Sequence, residues 1–360
     1  MQLYSKEVFI MADYTYHEQN EMQNLDYIRG ICEELPPYVK RFVRGIQQSK
    51  ASRTQLGYVR DLKTFFEYIY MSYDKQSFDS LKDISIDVLN DIDSMFIEDY
   101  LDYLQKYTKN GKIYTNGKAA IKRKLTSLRV FYAYLYKNDL ISQNPLVKVD
   151  MPKIHEKQIV RMEPNEVAEF LDTVEFGNHL TNKQLQFHSK TKNRDLALLT
   201  LMLSTGIRIS ECVGLDLADV DYDKMCIKIV RKGGKEAIVY FSDEAAEPLA
   251  VYMEERKKIS PEKGHENALF LSSQRKRIGV RTVENMVKKY SSCSVPLKHI
   301  TPHKLRSTYG TSLYQETGDI YLVADVLGHT DVNTTRRHYA DIDENRRRTA
   351  RNKVTLREKQ

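Results

Sequence analysis

Apolar residues recur at helical spacing in three stretches of the first part of the chain. Over residues 52–70 they fall three and four positions apart with basic side chains opposite, which predicts an amphipathic helix. Residues 118–137 repeat the pattern with a basic flank, and residues 86–107 predict a third helix with an acidic outer face. Residues 108–117 are polar and rich in turn-forming residues, so we expect a loop there. These patterns predict a small all-helical domain over residues 36–140.

The pattern changes after this domain. Asn144-Pro145 and Met151-Pro152 predict an extended linker, because a residue that precedes proline disfavours the helical conformation. Helical spacing resumes after Glu163, and two extended runs, 220–230 and 236–241, predict a β-hairpin. The fold class expected is therefore mainly α with a small antiparallel β-sheet. The predicted divisions are an N-terminal extension (1–35), the helical domain (36–140), a linker (141–156), a second domain (157–345) and a basic C-terminal tail (346–360).

Length and composition exclude several classes of protein. A chain of 360 residues with 41% hydrophobic residues is large enough for about two domains with real cores. Its longest apolar run, near residues 196–207, is shorter than the roughly 20 residues that span a bilayer, and the first residues form no secretory signal. We therefore expect a cytoplasmic protein without membrane association. Four dispersed cysteines with no Cys-x-x-Cys pair predict neither disulfides nor a zinc site, and no metal is expected.

The net charge of +7 is distributed unevenly along the chain. Residues 40–60 hold six bases and no acid, residues 118–129 five bases and no acid, and residues 275–306 nine bases and one acid, whereas residues 83–102 hold seven acids and no base. Such patches are expected where a protein holds a polyanion at several points, although ordinary solvated helix faces give the same pattern. The candidate DNA-contacting residues are Lys40, Arg41, Arg44, Arg53, Arg60, Lys118, Lys122, Arg123 and Arg129.

Four short motifs in the second half carry candidate chemistry. Each of them alone has an ordinary structural interpretation as a capping arginine, a turn lysine, a polar histidine or a core tyrosine. The Gly-Gly-Lys segment after Arg231 is no phosphate-binding P-loop, because G-x-x-x-x-G-K-[ST] is absent. In chain order the motifs are Thr205-Gly-Ile-Arg208-Ile-Ser-Glu211, Lys232 at the hairpin tip, His303-Lys-Leu-Arg306, and Leu327-Gly-His329 followed by Tyr339.

In this order, the motifs resemble those of the tyrosine recombinase (phage integrase) family, and within it the bacterial Xer-type recombinases. The resemblance covers about residues 36–345, and the length and the Glu34–Tyr38 segment are most similar to single-recombinase Xer proteins of Gram-positive bacteria. It implies a helical, SAM-like core-binding domain and a catalytic domain that grip double-stranded DNA from two sides.

The resemblance also implies a role for each motif residue. A phenol is a weak nucleophile at neutral pH because its pKa is about 10, so it must act within a positive site. The bond energy is conserved in a 3′-phosphotyrosyl link, and neither ATP nor a metal or other cofactor is implied. The implied roles are Tyr339 as nucleophile, Arg208 and Arg306 as phosphate clamps, Lys232 as general acid, His303 as acceptor of the tyrosyl proton, His329 as hydrogen-bond donor to the phosphate, and Glu211 as a support.

One spacing departs from the family pattern. The tyrosine of most members follows the Leu-Gly-His histidine by nine residues, whereas here His338 holds that place and Tyr339 comes tenth. A shift of one residue in a helix rotates a side chain by about 100°, which implies a local adjustment of the backbone. Tyr339 is nevertheless the only tyrosine between His329 and the last residue of the chain.

The expected function is site-specific DNA recombination that resolves chromosome dimers at cell division. The resemblance implies a homotetramer on two DNA sites, and a septal DNA translocase is a candidate partner. Two alternatives remain open. One is a mobile-element or phage integrase with the same chemistry, although residues 1–35 are short and acidic for an arm-binding domain. The other is a DNA-binding relative that has lost catalysis.

Overall fold

The computed structural model describes residues 14–73, 77–154, 160–231, 233–329, 331–333 and 335. These residues form two compact units, one of Thr15–Lys157 and a second that consists mainly of residues from Gln158 onward. Both units are mainly helical, and each contains one small antiparallel sheet. The predicted fold class is confirmed.

The first unit packs its helices around an aromatic core. Phe65, Phe66, Phe131 and Tyr132 are fully buried, and their rings meet largely edge to face at centroid distances of 6.0–6.4 Å. Short 3₁₀ turns occur at Leu81–Asp83 and Pro145–Val147. The elements are α1 (Tyr16–Cys32), α2 (Pro37–Ile46), α3 (Ser52–Ser72), α4 (Ile86–Asp91), α5 (Ser94–Gln105), β1 (Lys106–Lys109), β2 (Lys112–Thr115) and α6 (Lys118–Lys137).

Helix α1 belongs to this unit, although the sequence analysis assigns residues 1–35 to an extension. The helix begins with a reciprocal cap, in which the Thr15 backbone N–H donates to Glu18 Oε2 at 2.8 Å and the Glu18 N–H donates to Thr15 Oγ1 at 3.3 Å. It packs on α3 and buries Ile28 and Cys32. These two buried residues at i and i+4 are too few to mark a core-facing helix in the sequence.

Two predictions for the middle of this unit are corrected. The expected single helix over residues 86–107 is divided, because the Asp93 carboxylate accepts the Phe96 N–H at 2.8 Å and starts α5 afresh. The expected loop over 108–117 is wrong: β1 and β2 form a hairpin around Asn110-Gly111. Both turn residues have positive φ, 51° and 72°, as a tight two-residue hairpin turn requires.

In the second unit, the other helices pack around the long helix α8 (Asn182–Thr205). Residues 197–202 are buried on every side, as expected of a central helix, and α8 contacts α7, α10 and α12. A 3₁₀ turn occurs at Leu217–Asp219. The other elements are α7 (Pro164–Phe176), α9 (Ile209–Gly214), β3 (Val220–Asp221), β4 (Cys226–Val230), β5 (Glu236–Tyr240), α10 (Asp243–Lys257), α11 (Val280–Ser294), α12 (Pro302–Thr317) and α13 (Ile320–Leu327).

The predicted hairpin in this unit is confirmed. Strands β4 and β5 pair antiparallel from Cys226↔Tyr240 to Val230↔Glu236. The run over 220–230 divides into two strands, because the chain turns over residues 222–225, where Met225 has a positive φ of 50°. The sheet order is β3-β4-β5. The tip of the β4–β5 hairpin is the segment in which the sequence places its candidate lysine.

Candidate active site

Arg208 stands immediately beyond the end of the central helix. Gly206 ends α8 in the left-handed conformation (φ 62°), and its N–H donates to the Met202 carbonyl at 3.0 Å. A Cβ at this position would lie 2.4 Å from Tyr309 Cδ1, so glycine is needed for space as well as for conformation. The chain then turns, and Arg208 becomes the residue that precedes α9.

Glu211 holds Arg208 through both of its carboxylate oxygens. Oε2 accepts the Arg208 backbone N–H at 2.7 Å, and Oε1 accepts from the guanidinium Nη1 at 2.8 Å. The Glu211 side chain is 4% exposed and that of Arg208 is 36% exposed. A buried carboxylate is stable when it is paired and hydrogen-bonded. The pair therefore fixes the direction of a guanidinium that still reaches solvent.

Arg306 is more deeply buried, on the inner face of α12. Its Nη1 donates to the Gly206 carbonyl at 2.6 Å, and its Nη2 donates to the Leu327 carbonyl. Only 4% of this residue is exposed. His303 lies one turn earlier on the same helix. His303 is exposed whereas Arg306 is buried, although the two residues are only three positions apart.

The C-terminal end of α13 accepts hydrogen bonds from three arginines. The last carbonyls of a helix lack intrahelical partners and carry partial negative charge, which attracts cations. Here four successive carbonyls each accept a hydrogen bond from a guanidinium group. They are Asp325 (3.3 Å) and Val326 (2.8 Å) from Arg231, Leu327 from Arg306, and Gly328 (3.4 Å) from Arg208.

His329 follows this helix end directly. Gly328 adopts the left-handed conformation (φ 63°), and the His329 backbone N–H donates to the Ala324 carbonyl at 2.9 Å. The imidazole Nδ1 lies 2.7 Å from the hydroxyl of the buried Thr335. A contact of this kind holds the plane of the imidazole ring. The half-buried ring is thus oriented by Thr335, a residue to which the sequence analysis assigns no role.

Several arginines brought to one helix end suit an oxyanion such as a phosphate. Guanidinium groups bind phosphate oxygens in a forked geometry, and a preorganised cationic site stabilises charge that develops in a transition state. The structure brings together Arg208, Arg306 and the backbone of His329, with Glu211 behind Arg208. Lys232 and Tyr339 lie outside the described residues. Within the described part of the chain, no group of three or more His, Cys, Asp or Glu side chains could hold a metal ion.

Arg231 is a site residue that the sequence analysis missed. Its position next to Lys232 in the hairpin was the available signal, but an arginine in a turn is ordinarily solvated. The long side chain instead reaches the end of α13, about 95 residues later in the chain. Only the tertiary structure shows this contact.

The nine candidate DNA-contacting residues lie on α2, α3 and α6 of the first unit. Lys122 and Arg129 are partly buried and the other seven are exposed. Arg129 donates to the Val149 carbonyl at 2.5 Å, and Arg123 is paired with the buried Asp61. Asp61 also accepts from Ser127 Oγ at 2.7 Å and lies 3.4 Å from Lys124 Nζ. This network joins α3 to α6 below the basic surface.

Family models match most of each unit. Residues 34–151 match the phage integrase SAM-like domain, and residues 160–346, more than half of the chain, match the phage integrase family. The chain belongs to the tyrosine recombinase (phage integrase) family. The resemblance that the four motifs indicated is confirmed.

Curated relatives of this recombinase align over most of their length. The tyrosine recombinase XerC of Caldanaerobacter subterraneus subsp. tengcongensis is 30% identical over 98% of this chain and 95% of that protein. The tyrosine recombinase XerS of Streptococcus uberis is 34% identical over 84% of this chain and 92% of that protein. XerS of Streptococcus agalactiae serotype III is 32% identical over 86% of this chain and 93% of that protein.

Solved structures share the fold of this recombinase. The XerH site-specific recombinase bound to its difH substrate, a pre-cleavage complex, is 21% identical with a TM-score of 0.59, over 87% of this chain and 82% of that one. The Tn1549 transposon integrase bound to circular intermediate DNA is 18% identical with a TM-score of 0.62, over 88% and 99%. Among the described helices of this recombinase, none is long and apolar enough to cross a bilayer.

Proposed function

We propose that this chain cuts and rejoins double-stranded DNA at a specific site through a covalent link to Tyr339. The observation that carries the proposal is the convergence of Arg208 and Arg306 on one helix end, the C-terminus of α13. Family membership supports the same class of enzyme, a site-specific tyrosine recombinase.

The proposed reaction balances without a cofactor. The Tyr339 oxygen attacks the scissile phosphorus as the bond to the 5′-oxygen breaks, which leaves a 3′-phosphotyrosyl link and a free 5′-hydroxyl. His303 accepts the phenolic proton, and Lys232 gives a proton to the leaving oxygen. Arg208, Arg306 and His329 stabilise the charge on the non-bridging oxygens. Joining is the reverse reaction, in which the 5′-hydroxyl of another strand attacks the link.

Mutation of the tyrosine tests the chemistry. DNA fragments from the replication-terminus region of the host are first footprinted, and a suicide substrate is nicked beside the protected site so that the cleaved end is lost. Wild-type protein and the control Tyr321→Phe, whose residue is exposed on α13, should become covalently attached at a 3′-phosphate, whereas Tyr339→Phe should not. Equal trapping by Tyr339→Phe would overturn the nucleophile assignment. Binding without trapping by the wild type would identify a DNA-binding relative without catalysis.

The proposed cellular role is the resolution of chromosome dimers at cell division. The names of the XerC and XerS relatives place this chain beside the Xer recombinases, and their similarity extends over most of both chains. The proposed assembly is a homotetramer on two DNA sites in the cytoplasm, activated by a septal DNA translocase. Deletion of the gene should cause chromosome dimers to accumulate, and Tyr339→Phe should fail to restore resolution. Normal chromosome segregation in the deletion strain would instead favour a mobile-element integrase.

A further inference from the structure

Arg231 lies at the start of the turn that joins β4 and β5. Its backbone N–H donates to the Lys235 carbonyl at 2.8 Å, and its carbonyl accepts the Gly234 N–H at 3.1 Å. These two backbone bonds close the hairpin without any help from the side chain. The guanidinium group is therefore available for a contact elsewhere in the unit.

The guanidinium group binds the end of α13 in a tightly fitted position. Nη2 donates to the Val326 carbonyl at 2.8 Å and Nη1 to the Asp325 carbonyl at 3.3 Å. A Cβ at Gly328 would lie 2.0 Å from Nη1 and 2.5 Å from Cζ, so the group occupies space that only glycine leaves open. Nε is buried, and no partner for it occurs among the described residues. A solvated surface arginine would have neither this fit nor this burial.

This contact joins two segments that the reaction must hold together. One leads directly to Lys232, the proposed general acid, and the other leads directly to His329 at the phosphate site. Among the described residues, no strand of the β3-β4-β5 sheet donates a hydrogen bond to the end of α13. Because both Nη atoms donate to carbonyls of α13, the guanidinium group holds the start of the β4–β5 turn against this helix end.

We infer that Arg231 is a positioning residue, which ties the hairpin that carries Lys232 to the helix end that carries the phosphate site. The inference rests on the proposed function, since it requires Lys232 to protonate the leaving 5′-oxygen. Loss of the guanidinium group should then slow the step that needs this proton and leave the other steps intact. Proton transfer by a placed side chain contributes about 10²- to 10⁴-fold to a rate, so the loss should be measurable.

A substrate whose leaving group needs no proton distinguishes a role of Arg231 in positioning Lys232 from a general effect on the structure. The nicked suicide DNA is prepared in two forms, with an ordinary phosphodiester and with a 5′-bridging phosphorothiolate, whose thiolate leaves unprotonated. Single-turnover cleavage is measured for wild type, Arg231→Ala, Arg231→Lys, Lys232→Ala and the double variant. Lys224→Ala serves as a control, because Lys224 is an exposed lysine in the turn that precedes β4. Circular dichroism melting checks that each variant is folded.

Arg231→Ala should cleave the phosphodiester at least about tenfold more slowly than wild type and the phosphorothiolate within about threefold of wild type. Arg231→Lys should recover part of the rate, and the double variant should be no slower than Lys232→Ala, since coupled residues are not additive. Equal slowing on both substrates, or wild-type rates on both, would overturn the inference. Failure of wild type to cleave either substrate would instead overturn the proposed function.

Discussion

Gly206 and Gly328 end the helices α8 and α13 in the same left-handed conformation, with φ of 62° and 63°. Each glycine lies against a bulky side chain, the Tyr309 ring in the first case and the Arg231 guanidinium in the second. Their carbonyls accept hydrogen bonds from Arg306 and Arg208. At the scale of single residues, the two proposed catalytic arginines are thus held by the backbone carbonyls of glycines in the left-handed conformation.

Gly206→Ala should lower the free energy of unfolding of the second unit. A non-glycine residue in the left-handed region costs about 1–3 kcal/mol when the structure holds it there, and the Cβ would also press on Tyr309 at 2.4 Å. Urea unfolding followed by circular dichroism measures the change. Gly57→Ala is the control, because Gly57 lies inside α3 with no atom within 4 Å of its built Cβ, and alanine there should stabilise by about 0.5–1 kcal/mol. An unchanged free energy of unfolding for Gly206→Ala would contradict this prediction, since the turn would then accommodate a Cβ without cost.

Helix α6 shows how much a single element can be predicted from sequence. Its predicted bounds, 118–137, agree with the structure, because the buried apolar residues follow the helical period without interruption. Its basic flank is more complex than the charge pattern indicates. The Lys124 and Arg123 side chains pair with Asp61 of α3, whereas Lys118 and Lys122 form no ion pair with the described residues. These two lysines are therefore the better candidates for contacts to DNA.

Replacement of these lysines should weaken DNA binding in a salt-dependent manner. Each lost phosphate contact reduces the slope of log K against log salt by about 0.9, so Lys118→Gln/Lys122→Gln should reduce it by about 1.8. Fluorescence anisotropy over a range of KCl concentrations measures the slope. The control, Lys137→Gln/Lys148→Gln, removes the same charge from exposed positions at and beyond the other end of α6. An equal loss of slope in both double variants would indicate a net-charge effect rather than contacts by α6.

At the scale of the whole molecule, the buried cysteines are divided between the two compact units. Cys32 is buried in the first unit, Cys212 and Cys226 are buried in the second, and Cys293 is partly exposed. Burial raises the pKa of the Cys32 thiol, and burial together with the neighbouring Glu211 raises the pKa of the Cys212 thiol. The thiolate is the form of cysteine that reacts with alkylating agents. Burial therefore protects both thiols in two ways: it excludes the reagent, and it keeps the thiol protonated.

Thiol labelling should therefore report the stability of each unit separately. At neutral pH in the absence of denaturant, iodoacetamide should modify Cys293 well before the three buried cysteines. With increasing urea, Cys32 and Cys212 should become reactive in two distinct transitions, because each unit has its own core. Mass spectrometry of peptides from each labelled sample measures both. Coincident transitions would show that the two units unfold as one.

The fold class, the helices α3 and α6, the β4–β5 hairpin and the family could all be predicted from the sequence, since these depend on local periodicity and on motifs in a fixed order. It did not predict the β1–β2 hairpin, because Asn110-Gly111 was interpreted as part of a loop rather than as a tight turn. Nor did it show α1 as part of the first unit, since only two of its residues are buried.

Which groups meet at the end of α13 depends on the packing of helices that are distant in sequence. Four successive carbonyls there accept hydrogen bonds from Arg208, Arg231 and Arg306. No local pattern in the sequence indicates that these three arginines meet. The physical reason is that a helix end attracts cations through unpaired carbonyls and its partial charge, whatever their position in the chain. The motifs identified residues for the chemistry, and the packing of α8, α12 and α13 determined how those arginines are held.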